Sequence, residues 1–381
     1  MRGFWRLDIM NQGYRGIEAA WEAVKYRMKD REFFVDKLKV AAACAVVLLH
    51  TVTGVLDTAD MSLYPMEEKI FLILVDVSSW CVPVFLMISG YLFLDPRHTV
   101  SAGRMLTKYC RRVFLALFLF GVPYACLELI ATEGGFRRGM PGEAVLMVLQ
   151  GKSWSHMWYL YLIFILYLLT PGLKWVLSRI PKPAVAAAAC LLLADCSILP
   201  FLFRFLEVDR KPFLPEEGIY LFYYICGYFF AERRAGEAER PAEQAGSRDR
   251  KMGGLPAASL LLVLSVMVCS RLSAEYHVQM GYNYPLTLIL AVALFAGGFR
   301  GKGRASVQEG GIPWAKLADI SFAVYLVHPV FLNLAYKFFH ITPLSFLPGI
   351  SLPLFFLGTI FLSAAAAWLL KKMPPLRKYV L

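Results

Sequence analysis

Charge is what this sequence has least of. Asp, Glu, Lys and Arg make up 18% of its 381 residues, against about 25% in an ordinary soluble domain. So small a share excludes a chain whose surface is wetted all round. Alternation of apolar and polar residues with period two is also missing, which excludes a membrane β-barrel. The eight cysteines (44, 81, 110, 126, 190, 196, 226 and 269) lie in or at the ends of apolar blocks. None is paired at metal-ligand spacing and no disulfide framework appears, so no metal site is expected. They read as small buried apolar residues. No cleavable signal stands at the start: the first 30 residues are polar and basic, and the first apolar block is long enough to remain as a span. No internal repeat is visible, so the inverted-repeat signature of many transporters is missing. Nor is there a second, soluble domain.

What fills the chain instead is apolar sequence, 58% of the residues. It comes in blocks of about 20, the length that crosses a hydrocarbon core about 30 Å thick. The implied fold is all-α, a polytopic transmembrane helical bundle. Ten spans are expected, at 37–56, 70–94, 111–131, 157–177, 184–203, 217–232, 255–273, 283–299, 317–339 and 350–370. Around them the chain divides into a leader (1–35), a membrane domain (36–372) and a tail (373–381). Within the leader, residues 16–29 have helical spacing suited to a membrane surface. The segment 233–254, rich in Glu, Arg, Ala and Gly, reads as a flexible loop.

The net charge of +12 invites a nucleic-acid reading, and its distribution argues against one. With ten spans, the connections on the N-terminal side collect 29 Lys and Arg, and those on the other side 8. The positive-inside rule then puts both termini in the cytoplasm, in the plasma membrane. The charge is spread along one membrane face and calls for lipid, not nucleic acid.

One stretch concentrates the chemistry. Asp36-Lys37-Leu38-Lys39 opens the first span, and His50 lies eleven residues beyond Lys39. At about 100° per residue the two side chains fall within roughly 20° of each other, about 16 Å apart along the axis. A neutral imidazole at that depth accepts a proton at working pH. The plainer reading is a histidine hydrogen-bonded to a neighbouring helix. Arg111 and Arg112 begin the third span, where they serve either as phosphate ligands or as positive-inside anchors. Ser321, Tyr325 and His328 share a helix face by their spacing. They form a structural hydrogen-bond cluster or line a pore. Pro329 removes a backbone donor and frees a carbonyl beside His328. Trp158 and Tyr161 read as interface aromatics or as stacking surfaces for a sugar. Asp76, Glu128 and Asp195 fall in or near span interiors, where carboxylates are functional suspects. Ser89-Gly90 permits a close helix approach.

Five stretches, in order, resemble the membrane-bound acyltransferase 3 family. They are Asp36-Lys37-Leu38-Lys39 with His50, Val82-Pro83-Val84-Phe85 through Ser89-Gly90-Tyr91, Tyr109-Cys110-Arg111-Arg112, His156-Met157-Trp158-Tyr159-Leu160-Tyr161, and Ser321 through Tyr325-Leu326-Val327-His328-Pro329. The resemblance implies an enzyme that takes an acyl group, commonly acetyl, from cytoplasmic acyl-CoA. It passes that group to a hydroxyl on an extracytoplasmic or lipid-linked glycan or another small acceptor. Acetyl-CoA would then be a donor substrate, with no permanently bound cofactor. His50 matches the family histidine and would act as general base. Lys39, Arg111 and Arg112 would hold the donor, and Asp36 is a candidate to meet substrate or line the pore. One departure stands out: where the family often has Arg, this chain has Lys39, which keeps the charge but loses the planar fork. The rival reading is a transporter or flippase, or an amino-acid-handling membrane module, on the same helices. It would consume no thioester.

Overall fold

The computed structural model describes residues 32–98, 100–238, 268, 281–300 and 313–381. Among these the regular structure is entirely helical. Apart from the short helices Ala102–Arg104 and Leu199–Phe205, the α-helices in chain order are α1 (Phe33–Thr58), α2 (Pro65–Ser78), α3 (Cys81–Phe93), α4 (Arg111–Glu133), α5 (Met140–Leu149), α6 (Trp158–Leu177) and α7 (Lys182–Leu193). After them come α8 (Gly218–Ala238), α9 (Pro285–Arg300), α10 (Trp314–Asn333), α11 (Pro348–Lys372) and α12 (Pro374–Tyr379).

Seven described stretches are long and apolar enough to cross a membrane: Phe33–Thr58, Pro65–Phe93, Ala102–Glu133, Ser155–Leu177, Lys182–Phe205, Trp314–Phe338 and Pro348–Lys372. Three of the ten expected spans are not among them. The stretch 217–232 does form a helix, α8, but that helix runs on through Glu232, Arg233 and Arg234. The stretch 283–299 forms α9, a helix of 16 residues. The stretch 255–273 lies outside the described residues except at 268, as do residues 1–31 with their expected surface helix and 239–254 of the expected loop.

Several expected spans are not plain helices; the fifth and ninth contain π-turns, Ala194–Ile198 and Leu334–Phe338. The second breaks at Ser79-Trp80, between α2 and α3. Pro83, in the first turn of α3, has no N–H for the carbonyl four residues back, so a continuous helix loses a bond there. The third begins earlier than expected. The chain is helical from Ala102 and passes through a π-turn at Met105–Cys110 before α4. Arg104, Lys108, Arg111 and Arg112 therefore all ride on helical backbone.

Helix α1 is the axis of the bundle and packs against α2, α3, α10 and α11. The tightest crossing joins α3 to α8. A Cβ built on Gly90 would lie 1.9 Å from the Tyr224 carbonyl oxygen, and one on Gly227 would lie 2.1 Å from the Met87 carbonyl oxygen. Gly90 and Gly227 let the backbones meet this closely, the way membrane helices gain packing without a hydrophobic driving force.

Candidate active site

Three cross-helix hydrogen bonds bring the three site helices into register. Tyr336, in the π-turn Leu334–Phe338 after α10, donates to the Thr51 carbonyl of α1 at 2.9 Å. Its ring lies where a Cβ on Gly54 would come within 2.8 Å, so Gly54 admits it. Tyr325 of α10 donates to the His156 carbonyl at 2.6 Å. Tyr124 of α4 donates to the Leu326 carbonyl at 2.7 Å. Each tyrosine buries its ring and spends its hydroxyl on a backbone oxygen of another element, which fixes relative height as well as contact.

The consequence is a cluster of three imidazoles from three parts of the chain. The ring centres of His50 and His328 are 5.2 Å apart, those of His156 and His328 5.7 Å, and those of His50 and His156 6.3 Å. His328 is fully buried and His156 is 3% exposed. His50 is half-buried. The Nε2 atoms of His156 and His328 are buried and have no hydrogen-bond partner. Nδ1 of His328 lies 2.8 Å from the Tyr325 carbonyl and 3.2 Å from that of Val324. The Tyr325 carbonyl is available because Pro329, four residues on, has no N–H to offer it.

His50 and His156 line a cavity of about 490 Å³, and His328 does not. That volume suits a small-molecule site. The cavity runs from these buried rings to exposed Asp57, Lys152 and Lys337. Its wall is braced by ionic and aromatic contacts. Lys337 donates to both Glu128 oxygens at 3.1 Å, and Trp154 Nε1 donates to Glu128 at 3.1 Å. The Trp154 ring stacks on Tyr124 with centres 4.3 Å apart and planes within 6°. Among the described residues, no three His, Cys, Asp or Glu are placed to hold a metal ion.

The other expected site residues lie away from this cavity. Lys39 sits half-buried three turns before His50 on α1, and Asp36 is buried in the first turn of that helix. Arg112 donates to the Val380 carbonyl at 2.7 Å and to Leu381 at 2.8 Å, with the Phe322 ring 5.4 Å away. Arg111 is exposed, its guanidinium 5.3 Å from the Tyr379 ring. Trp158 packs beside Tyr220 and Tyr282, with ring centres 5.4 and 5.5 Å away. Tyr161 donates to the Val148 carbonyl. Ser321 turns back to the Ala318 carbonyl of its own helix at 2.8 Å. Asp195 accepts the Phe213 and Leu214 amides at 3.0 and 2.7 Å, tying down the loop before α8. His156 is the residue that sequence reasoning passed over. It stood in the quoted motif with Trp158, but nothing in its spacing pointed to His50.

The geometry is that of clustered imidazoles, two of which open on a cavity of small-molecule size. A family model described as an acyltransferase domain, acyltransferase 3, matches residues 32–372. The chain belongs to the acyltransferase 3 family. With its seven apolar helices it is a multi-pass membrane acyltransferase. The match spans all five sequence stretches and all three histidines. No curated protein and no solved structure matches the chain.

Proposed function

We propose that this acyltransferase moves an acyl group, acetyl by preference, from cytoplasmic acyl-CoA to a hydroxyl of an extracytoplasmic or lipid-linked glycan. His50 is the general base. The observation that carries this reading is the position of His50, at the buried end of the 490 Å³ cavity and on one helix with Lys39. Ten spans with both termini in the cytoplasm accord with the 29-to-8 division of Lys and Arg. In that orientation the cavity opens away from the cytoplasm, and Lys39, Arg111 and Arg112 stand at the donor side.

The reaction then needs little of the protein beyond placement and one proton. The His50 ring takes the proton of the acceptor hydroxyl as its oxygen attacks the thioester carbon. The tetrahedral intermediate collapses, the C–S bond breaks, and the thiolate of CoA takes the proton back from His50. The products are an ester and free CoA. His156, which lines the same cavity, is the second polar side chain for the reacting groups. Lys39, Arg111 and Arg112 offer cations to the phosphates of the donor. Arg112 must then share or exchange its bonds to Val380 and Leu381. Asp57 and Lys152 on the exposed cavity wall are free to meet polar acceptor groups. Tyr325 supports the wall through its bond to the His156 carbonyl, while Trp158, Tyr161 and Ser321 stand outside it.

The test uses purified protein in nanodiscs, labelled acetyl-CoA and an extract of glycan acceptors. The expected result is release of CoA with label on an acceptor. If no acyl-CoA is bound or consumed, the enzyme reading fails and solute flux through the same protein becomes the question.

A further inference from the structure

His328 is buried behind the two cavity-lining histidines and touches the cavity with nothing. Both partners of its Nδ1 are carbonyl oxygens, which only accept. A neutral His328 therefore carries its proton on Nδ1, and its Nε2 is a bare acceptor. Pro329 makes this tautomer secure, because no backbone N–H competes for the Tyr325 carbonyl. A buried acceptor with no donor is costly to keep. The nearest ring to it is His50, 5.2 Å away between centres and tilted by 32°. Two imidazoles bonded nitrogen to nitrogen at about 2.9 Å have centres about 5 Å apart, so the spacing already suits such a bond. A turn of the His50 ring about its soft terminal torsion completes it.

We infer that His328 is a positioning residue for His50: its Nε2 accepts the ring N–H of His50 that faces away from the cavity. This rests on the reading of His50 as general base. The bond presents the other His50 nitrogen, with its lone pair, to the acceptor hydroxyl. When His50 takes the proton, the same bond stabilises the imidazolium. His328 neither gains nor loses a proton in the cycle, since the proton passes from acceptor oxygen to His50 and on to the CoA thiolate. The remaining titratable or charged groups facing His50 are His156 and, along the cavity wall, Asp57, Glu128, Lys152, Tyr336 and Lys337.

Two substitutions separate the halves of the His328 ring. His328→Asn keeps a donor where Nδ1 stood, for the Tyr325 carbonyl, but is too short to offer an acceptor at the Nε2 position. His328→Gln reaches the Nε2 position with an amide oxygen and gives up the Nδ1 bond. The assay is the pH profile of kcat and KM in nanodiscs, beside thermal melting, with His50→Ala as a third arm. For His328→Asn the expected result is a fold as stable as wild type, an unchanged donor KM and a kcat lower by at least about tenfold. Its acid limb moves to lower pH, because the imidazolium of His50 has lost its acceptor. His328→Gln melts earlier yet recovers rate and limb. A merely structural role predicts the reverse order of the two variants and an unmoved limb. A folded His328→Asn with wild-type kcat and limb overturns the inference while His50→Ala stays inactive. An active His50→Ala overturns instead the base assignment beneath it.

Discussion

Replacing Gly90 by alanine tests the tightest joint of the bundle. The added Cβ would stand 1.9 Å from the Tyr224 oxygen and 2.8 Å from its carbonyl carbon, whereas ordinary contact begins at 3.4 Å. Helices α3 and α8 must therefore part by about 1.5 Å, since the obstacle is backbone and cannot rotate aside. Overpacking of this kind costs about 1–3 kcal/mol, and a backbone clash belongs at the upper end. Gly227→Ala meets the same wall from the other side, at 2.1 Å from the Met87 oxygen and 2.5 Å from the Tyr91 nitrogen. Each variant should melt several degrees below wild type in the same nanodisc. The double variant should lose less than the two losses added together, because one separation of the helices relieves both clashes. Gly358→Ala, with nothing within 4 Å of its Cβ, is the control and should melt no lower than wild type. If Gly90→Ala and Gly358→Ala melt together, the close crossing does not hold these helices and the packing argument is wrong.

Three further predictions follow from single contacts. Pro329→Ala returns a backbone N–H to the Tyr325 carbonyl and takes it from His328, so kcat should fall at least about tenfold while the melting temperature does not fall, an interior proline being costly to a helix. Arg112→Ala removes two charge-assisted hydrogen bonds to Val380 and Leu381, worth about 1.5–3 kcal/mol each. Amide exchange over 376–381 should then speed up about tenfold or more, and unchanged exchange would deny the contact. Asp95, in the turn after α3, is pushed up by burial but held below the usual carboxylate range by hydrogen bonds from the Arg97 guanidinium and amide and by its charge. A depressed carboxyl contributes stability above its unfolded pKa and loses it as pH falls through the folded one. Wild type should therefore melt above Asp95→Asn at neutral pH, with the gap closing below about pH 4.

The sequence carried the helices, because they follow from periodicity and from blocks of about 20 apolar residues. It carried Ser89-Gly90 as a packing point, since a small residue inside a span has few other uses. It did not show that Gly227 is the partner, because periodicity assigns faces and not neighbours. The same gap hid His156. Its nearness to His50 and His328 depends on three tyrosine hydroxyls reaching backbone oxygens on other helices, and no spacing along the chain encodes that. Arg112 illustrates a different limit. A cation at a helix start attracts a phosphate reading, and only the fold shows the Val380 and Leu381 oxygens already against it. Seven of the ten expected spans are long, apolar helices among the described residues; α8, with its Glu232-Arg233-Arg234, and α9, with its 16 residues, fall short of that description through charge and length.

The most direct measurement compares wild type and His50→Ala for donor binding and for CoA release in the same nanodiscs. The account predicts that both bind acyl-CoA with similar affinity and that only wild type releases the thiol, one equivalent for each acceptor labelled. A His50→Ala protein that releases CoA and labels acceptor at the wild-type rate would contradict it.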